Sequence, residues 1–224
     1  MGHFHEQYYK KMDSVEATPI HPTAQRLVDT VKEMLKDTAY NNIKSENVLL
    51  RSGISRGPLY HHFANFEELI QIAQTQVYQD YVGLLSGALI NASTALEDPM
   101  ATREEFANII RSSQVANSVS LRRQRVGIVH NATSTKGFSE KLGATQEGLT
   151  LQWIKIYQIC VDKGWADPSL DPRTVAILLQ STFFGRVLDD ISPVHMNGDA
   201  WVVTMIRLLD NFCFSTSLAS RVQD

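Results

Sequence analysis

The chain has 224 residues, 43% apolar and 20% charged, a globular balance that excludes a wholly disordered protein and allows one or two domains. Lys and Arg number 21 against 24 Asp and Glu, a net charge of -3. That excludes wholesale electrostatic capture of nucleic acid or acidic membranes, so any DNA binding rests on a small, shaped surface.

Residues 1–21 are polar and aperiodic and read as a flexible arm. They lack the apolar segment of a secretory signal, and Glu6 spoils the myristoylation pattern begun by Met1-Gly2. No apolar run approaches the ~20 residues needed to span a bilayer, and a cytoplasmic protein is expected. From Pro22 to Asp37, Leu27, Val31, Met34 and Leu35 recur at helical spacing and predict a first helix. A brief helix over Ser45–Arg51 turns Val48 and Leu49 inward and stops at Gly53, suited to the left-handed conformation just past a helix end. Ser55 is expected to cap the next short helix, RGPLYHHF, with Pro58 in its first turn. Asn65 and Glu68 form a capping pattern that opens a long helix from Phe66 to about Ile90.

Further on, Thr102-Arg-Glu-Glu105 reads as a capping box for a helix holding Phe106, Ile109 and Ile110. Helices over Leu121–Thr133 and Ser139–Lys163 follow, the second ended by Gly164. Asp171-Pro172 starts a helix to about Ile191, and Pro193 and Gly198 separate it from a last one over Asp199–Leu218. No alternating strand appears. The predicted class is all-α: an arm over 1–21, a three-helix helix-turn-helix domain over 22–70, and a larger helical body over 71–224.

Two short helices joined by a tight Gly-containing turn, within Lys44–Phe63, are the layout of a helix-turn-helix. Val48, Leu49, Ile54, Leu59 and Phe63 form its expected core, with Leu27 and Val31 behind. The second short helix then presents Arg56, Gly57, Pro58, Tyr60 and His61, with His62 at the margin. Arg bonds guanine, Gly admits close backbone approach, Pro gives a rigid apolar contact, and Tyr and His donate to phosphate.

The run Gly53-Ile-Ser-Arg-Gly57-Pro-Leu-Tyr-His-His-Phe63, followed by Glu67-Glu68-Leu69, resembles the TetR family of bacterial transcription regulators over Gln25 to Ile72. The resemblance implies a recognition helix beginning at Arg56, with Tyr60 and His61 approaching the DNA backbone. It also implies a homodimer on a palindromic double-stranded operator, released when a small molecule enters the larger domain. Departures are clear: Ala39 stands where the family usually has Gly, Ile43 and Lys44 where it has Thr and then Ser or Thr, Leu49 where it has Ala, and Phe66 where it has Lys. Lys44, beside Ser45 at the start of the first short helix, is expected to supply a phosphate contact in place of the lost hydroxyl, and Ser45 and Ser55 complete the expected DNA-facing set. Residues 1–70 hold eight Lys or Arg against nine Asp or Glu, and the remainder carries -2. Weak nonspecific binding with shallow salt dependence is therefore expected. The neutral domain and Phe66 are consistent with the alternative of a helical sensor or protein-interaction protein that has lost DNA affinity.

An enzyme is not expected. Gly53-Ile-Ser-Arg-Gly57 satisfies G-x-S-x-G, but a nucleophile elbow needs a buried strand before the Ser, and SENVLLRS is short and half polar. His61 and His62, adjacent on a helix, make a poor metal pair, and no nucleotide-binding loop is present, so neither metal nor cofactor is expected. Cys160 and Cys213 read as reduced core thiols.

In the larger body, Phe106, Ile110, Val126, Trp153, Tyr157 and Phe184 are candidates to line an effector pocket, with His130, Gln152 or Asn131 as polar contact, for a ligand that is partly apolar or aromatic. The same aromatics more often serve as simple core. Arg122-Arg123-Arg125 reads as a solvated helix face, with recognition of an acidic ligand as the sharper alternative. Leu179, Phe183 and Val187, with Trp201, Met205, Leu208 and Phe212, are the expected dimer interface, a four-helix arrangement between two copies.

Overall fold

The structure, a computed structural model, describes residues 20–116 and 119–216, without the side chains of 114–116. The described residues are helical, with no strand among them. The chain divides into two compact units between Gln74 and Thr75.

In the first unit α1 spans Pro22–Met34, α2 Ser45–Ser52 and α3 Arg56–His62, and α4, Phe66–Ala95, begins there. Helix α1 opens on His21, whose ring accepts from the Thr23 amide at 3.2 Å, and Pro22 fills its first position. Leu27, Val28, Val31, Met34 and Leu35 form its buried stripe. It ends three residues before the expected Asp37, in a turn that leads to a single 3-10 turn at Tyr40–Asn42. Against α1 pack α2 and α3, which contribute Val48 and Leu59, and Phe63 closes the same small core.

Helix α2 stops at Gly53, whose φ of 67° and ψ of 19° place it in the left-handed region, with its amide donating to Leu49 O at 3.0 Å. The buried Ser52 hydroxyl donates to Leu49 O and accepts from the Ile54 amide, so it holds the turn from inside. A Cβ on Gly53 would meet only Arg26 Nη2, at an ordinary 3.6 Å. The cost of Gly53→Ala is therefore backbone strain, about 1–2 kcal/mol, and Gly53→Asn costs less. Thermal unfolding of the two variants checks both the size and the order.

Helix α4 has the predicted reciprocal start. The Glu68 amide donates to Asn65 Oδ1 at 2.8 Å, and the Glu68 carboxylate accepts from the Ala64 amide at 2.7 Å.

The second unit takes the rest of α4, then α5 (Pro99–Ala116), α6 (Val119–Ser134), α7 (Lys136–Asp162), α8 (Pro172–Gly185), the short α9 (Val187–Asp190) and α10 (Gly198–Cys213). The start of α5 corrects the expected capping box. Asp98 is the cap, bonding the Ala101 amide at 2.7 Å, Pro99 is the first residue, and Thr102 lies buried one turn inside. The helix expected from Asp171 to Ile191 breaks at Arg186 into α8 and α9. The last helix is capped by Asn197, which accepts from the Asp199 and Ala200 amides, and it ends at Cys213. Residues 217 and 218 of its expected span lie outside the described residues, as does the arm up to residue 19.

Helix α7 packs against α6, α8 and α10, and α5 against α10. Their shared core is aromatic at both ends. Phe106 and Trp165 meet Phe214 at 5.6 and 6.0 Å, and Trp153 and Trp201 flank Phe183 at 5.7 and 5.6 Å. Arg103 and Asp210 join α5 to α10 through a two-point ion pair. Cys160 and Cys213 are buried free thiols in this core, as expected. A hydrogen bond with Cys160, with burial, pushes the Cys213 thiol up and keeps it protonated.

Candidate nucleic-acid interface

Helix α3 is seven residues long, and its inward residue, Leu59, is wholly buried. Burying Leu59 turns Arg56, Gly57, Tyr60 and His61 outward, and Pro58 and His62 lie half-buried at the margins. Arg56 and Tyr60 stand one turn apart, with the guanidinium 5.6 Å from the ring centroid. A hydrogen bond with the Tyr60 side chain raises the guanidinium above its ordinary value. The face thus presents one permanent cation, one phenol and one imidazole on a helix held from below by an apolar contact.

Ser55 occupies the position before α3, but its side chain makes no capping bond, which corrects the expected cap. The turn is held instead by Gly53 and Ser52. Lys44 precedes α2 in extended backbone, exposed and with no side-chain cap, while Ser45 is half-buried on the first turn. Glu46 follows, and hydrogen bonds at its own backbone and with Ser45 hold its carboxyl below the usual range, with Arg56 adding a smaller effect. Leu49 and Ile54 are half-buried rather than fully inward, and Phe66 is half-buried at the start of α4. Leu50 is 83% exposed on α2.

The ring of His62, next to the expected DNA-facing set, stacks on His21 at 4.8 Å and meets His61 edge-on at 5.0 Å. Burial and the two neighbouring imidazoles lower its pKa, so at neutral pH it is an uncharged packing group. The signal was the His at the start of α1, 41 positions earlier, and spacing alone does not pair the two. In front of Ser55 stands a helix and not a strand, which removes the geometry a nucleophile elbow needs.

Two other sets of candidates lie in the second unit. Phe106, Ile110, Trp153 and Tyr157 are buried together in its main core, and Tyr157 donates its hydroxyl to Asp167 O. Val126 and Phe184 are half-buried and His130 is exposed on α6. Of the polar candidates, Gln152 accepts from the buried Ser86 hydroxyl and Asn131 is buried. Of the expected dimer residues, Leu179, Phe183 and Met205 are used up in the core of their own unit. Val187, Trp201, Leu208 and Phe212 are half-buried. Among the apolar residues left outward are Ile177 and Leu178 on α8, Leu188 on α9, Ile191, and Val203 on α10.

Three solved structures are similar over nearly their whole length. E. coli NemR in its reduced form is 13% identical with a TM-score of 0.65, over 86% of this chain and 98% of that one. Salmonella enterica GusR is 17% identical with a TM-score of 0.58, over 87% and 97%. A bacterial regulatory protein in the TetR family from Rhodococcus RHA1 is 13% identical with a TM-score of 0.53, over 84% and 97%. The fold is that of the TetR-family regulators. At these identities the likeness is one of fold, and it bears out the resemblance carried by Gly53–Phe63 at that level. No family model matches the chain, and no curated protein does. In this TetR fold no helix among the described residues is long and apolar enough to cross a membrane.

Proposed function

We propose that the chain is a TetR-family transcription regulator, a non-enzymatic cytoplasmic repressor that binds a palindromic operator as a homodimer and leaves it when a small molecule occupies the second unit. One observation carries the reading. The buried Leu59 and the left-handed turn at Gly53 set α3 so that Arg56, Tyr60 and His61 share its outer face. That is the inventory a recognition helix needs, with donors for base edges and phosphates on a rigid support. Dimerisation is supported by the exposed apolar side chains of Ile177 and Leu178 on α8, Leu188 on α9 and Val203 on α10, which a second copy would cover. Two half-sites one helical turn apart take two such units.

The test is footprinting on the DNA flanking the protein's own gene. Protection of a palindrome is expected, and Tyr60→Ala is expected to abolish it while moving stability by no more than about 0.5 kcal/mol, since Tyr60 is 47% exposed. The slope of affinity with salt is expected to be shallow, because few cations line the face. A second reading, a sensor that has exchanged DNA for a protein partner, is favoured by Leu50, an apolar side chain left open on α2. No protection at low salt, with the dimer intact by light scattering, would decide for that reading.

A further inference from the structure

The basic run on α6 is not a solvated face. Arg122 and Arg125 are 6% and 7% exposed, and only Arg123 is open. Arg125 lies over three rings, with its guanidinium carbon 4.5 Å from the Tyr81 centroid, 5.1 Å from Phe184 and 6.0 Å from Tyr78. Arg186, at the break between α8 and α9, lies 5.1 Å over Trp201. Tyr81 is near enough to Arg122 and Arg186 to act electrostatically on both, so three guanidiniums gather around one phenol.

The Asp190 carboxylate is bonded to this cluster, and it is already taken. Asp190 accepts from Arg122 at two points and carries its own side chain at 2% exposure. Its neighbour Asp189 accepts from the Met196 amide and faces His195. Among the described residues, Arg125 Nε and Arg186 Nε and Nη1 are buried without a hydrogen-bond partner. Trp153 Nε1 is a further orphan, and its ring is linked through Phe183 to Trp201. These orphans are all donors. Burial and the nearby Arg122 push the Arg186 guanidinium below its ordinary value, the mark of a cation short of compensation.

Buried donors of this kind cost free energy unless something accepts from them, and ring faces recover only part of it. An oxygen anion supplies both the acceptors and the charge. The rings of Phe184 and Trp201 beside the same donors suit a flat apolar body. We propose that the second unit binds an organic anion, a carboxylate on an aromatic body, with Arg125 and Arg186 on its oxygens. This names the effector class for the sensing role proposed above and rests on that reading only for its regulatory meaning.

The test uses the whole protein without DNA. Benzoate and 2-naphthoate are titrated against benzamide and 2-naphthamide, read by Trp fluorescence and by thermal shift. The acids are expected to bind saturably below about 10 mM and the amides at least about 10-fold more weakly. Arg125→Met and Arg186→Met each weaken the acids about 10- to 100-fold, Arg125→Lys keeps part of the binding, and Arg111→Met, an exposed change on α5, leaves it unchanged. If Arg125→Met fails to fold, the acid–amide comparison in the native protein and Arg186→Met still decide. Acids and amides binding alike, no saturable binding of any of the four, or unchanged binding in both Met variants overturns the proposal. Missing operator protection would instead overturn the regulator reading and leave this one standing.

Discussion

Replacing Asp190 by Asn lowers the stability of the second unit by about 3–5 kcal/mol, the cost of stranding a buried guanidinium. The pair is sealed, with Arg122 at 6% and Asp190 at 2% side-chain exposure, and the Asp190 backbone oxygen also accepts from Arg123 at 3.2 Å. Asn keeps the shape and loses the charge, so Arg122 joins Arg125 and Arg186 in an excess of buried positive charge. At roughly 2–4 °C per kcal/mol for a unit of this size, the melting point falls by about 10 °C. A double change, Arg122→Met with Asp190→Leu, removes both charges and is expected to restore most of that loss. The pH dependence follows from the direction of one shift. Hydrogen bonds from Arg122 hold the Asp190 carboxyl below its usual range, against the opposing effect of burial. The stabilisation is therefore complete above the unfolded carboxylate value near pH ~4 and is lost as pH falls through the lower folded value. Thermal unfolding of the native protein and Asp190→Asn at neutral and acid pH separates the two, with the gap closing on the acid side. A variant that melts within about 2 °C of the native protein at neutral pH would refute the account.

The elements fixed by nearest neighbours were legible. Asn65 and Glu68, Asp171 and Pro172, and the left-handed Gly53 are local signals, and each lies where its chemistry requires. Asp98-Pro99 is the same signal as Asp171-Pro172, but a Thr-x-x-Glu pattern three residues on competed with it and masked the earlier start. Relations between distant segments were illegible. The Arg122 partner lies 68 residues away, and three arginines within four positions carry no internal sign of burial. The same limit hid which side of α8 is buried. Helix α8 is apolar on most sides, so spacing does not say whether Leu179 and Phe183 or Ile177 and Leu178 face the core. Packing against α7 settles it, and that contact is not written in α8 alone.

Leu59→Ala is expected to abolish operator protection by a different route from Tyr60→Ala. Leu59 has no exposed surface, and its removal from a tight core costs about 2–5 kcal/mol. The first unit is small, so at about 0.05–0.15 kcal/mol per residue its whole stability is about 4–11 kcal/mol. One core leucine is a large share of that. Hydrogen exchange at the amides of α1, α2 and α3 is expected to accelerate, while the core around Phe106, Trp153 and Phe214 keeps its protection. Tyr60→Ala, with Leu59 still seated, keeps the exchange pattern of the native protein and loses only the DNA. Two neighbouring side chains on one helix thus separate the scaffold from the reader. If Tyr60→Ala also accelerates exchange across α1 to α3, the ring is structural, and the outward face of α3 is not the DNA contact.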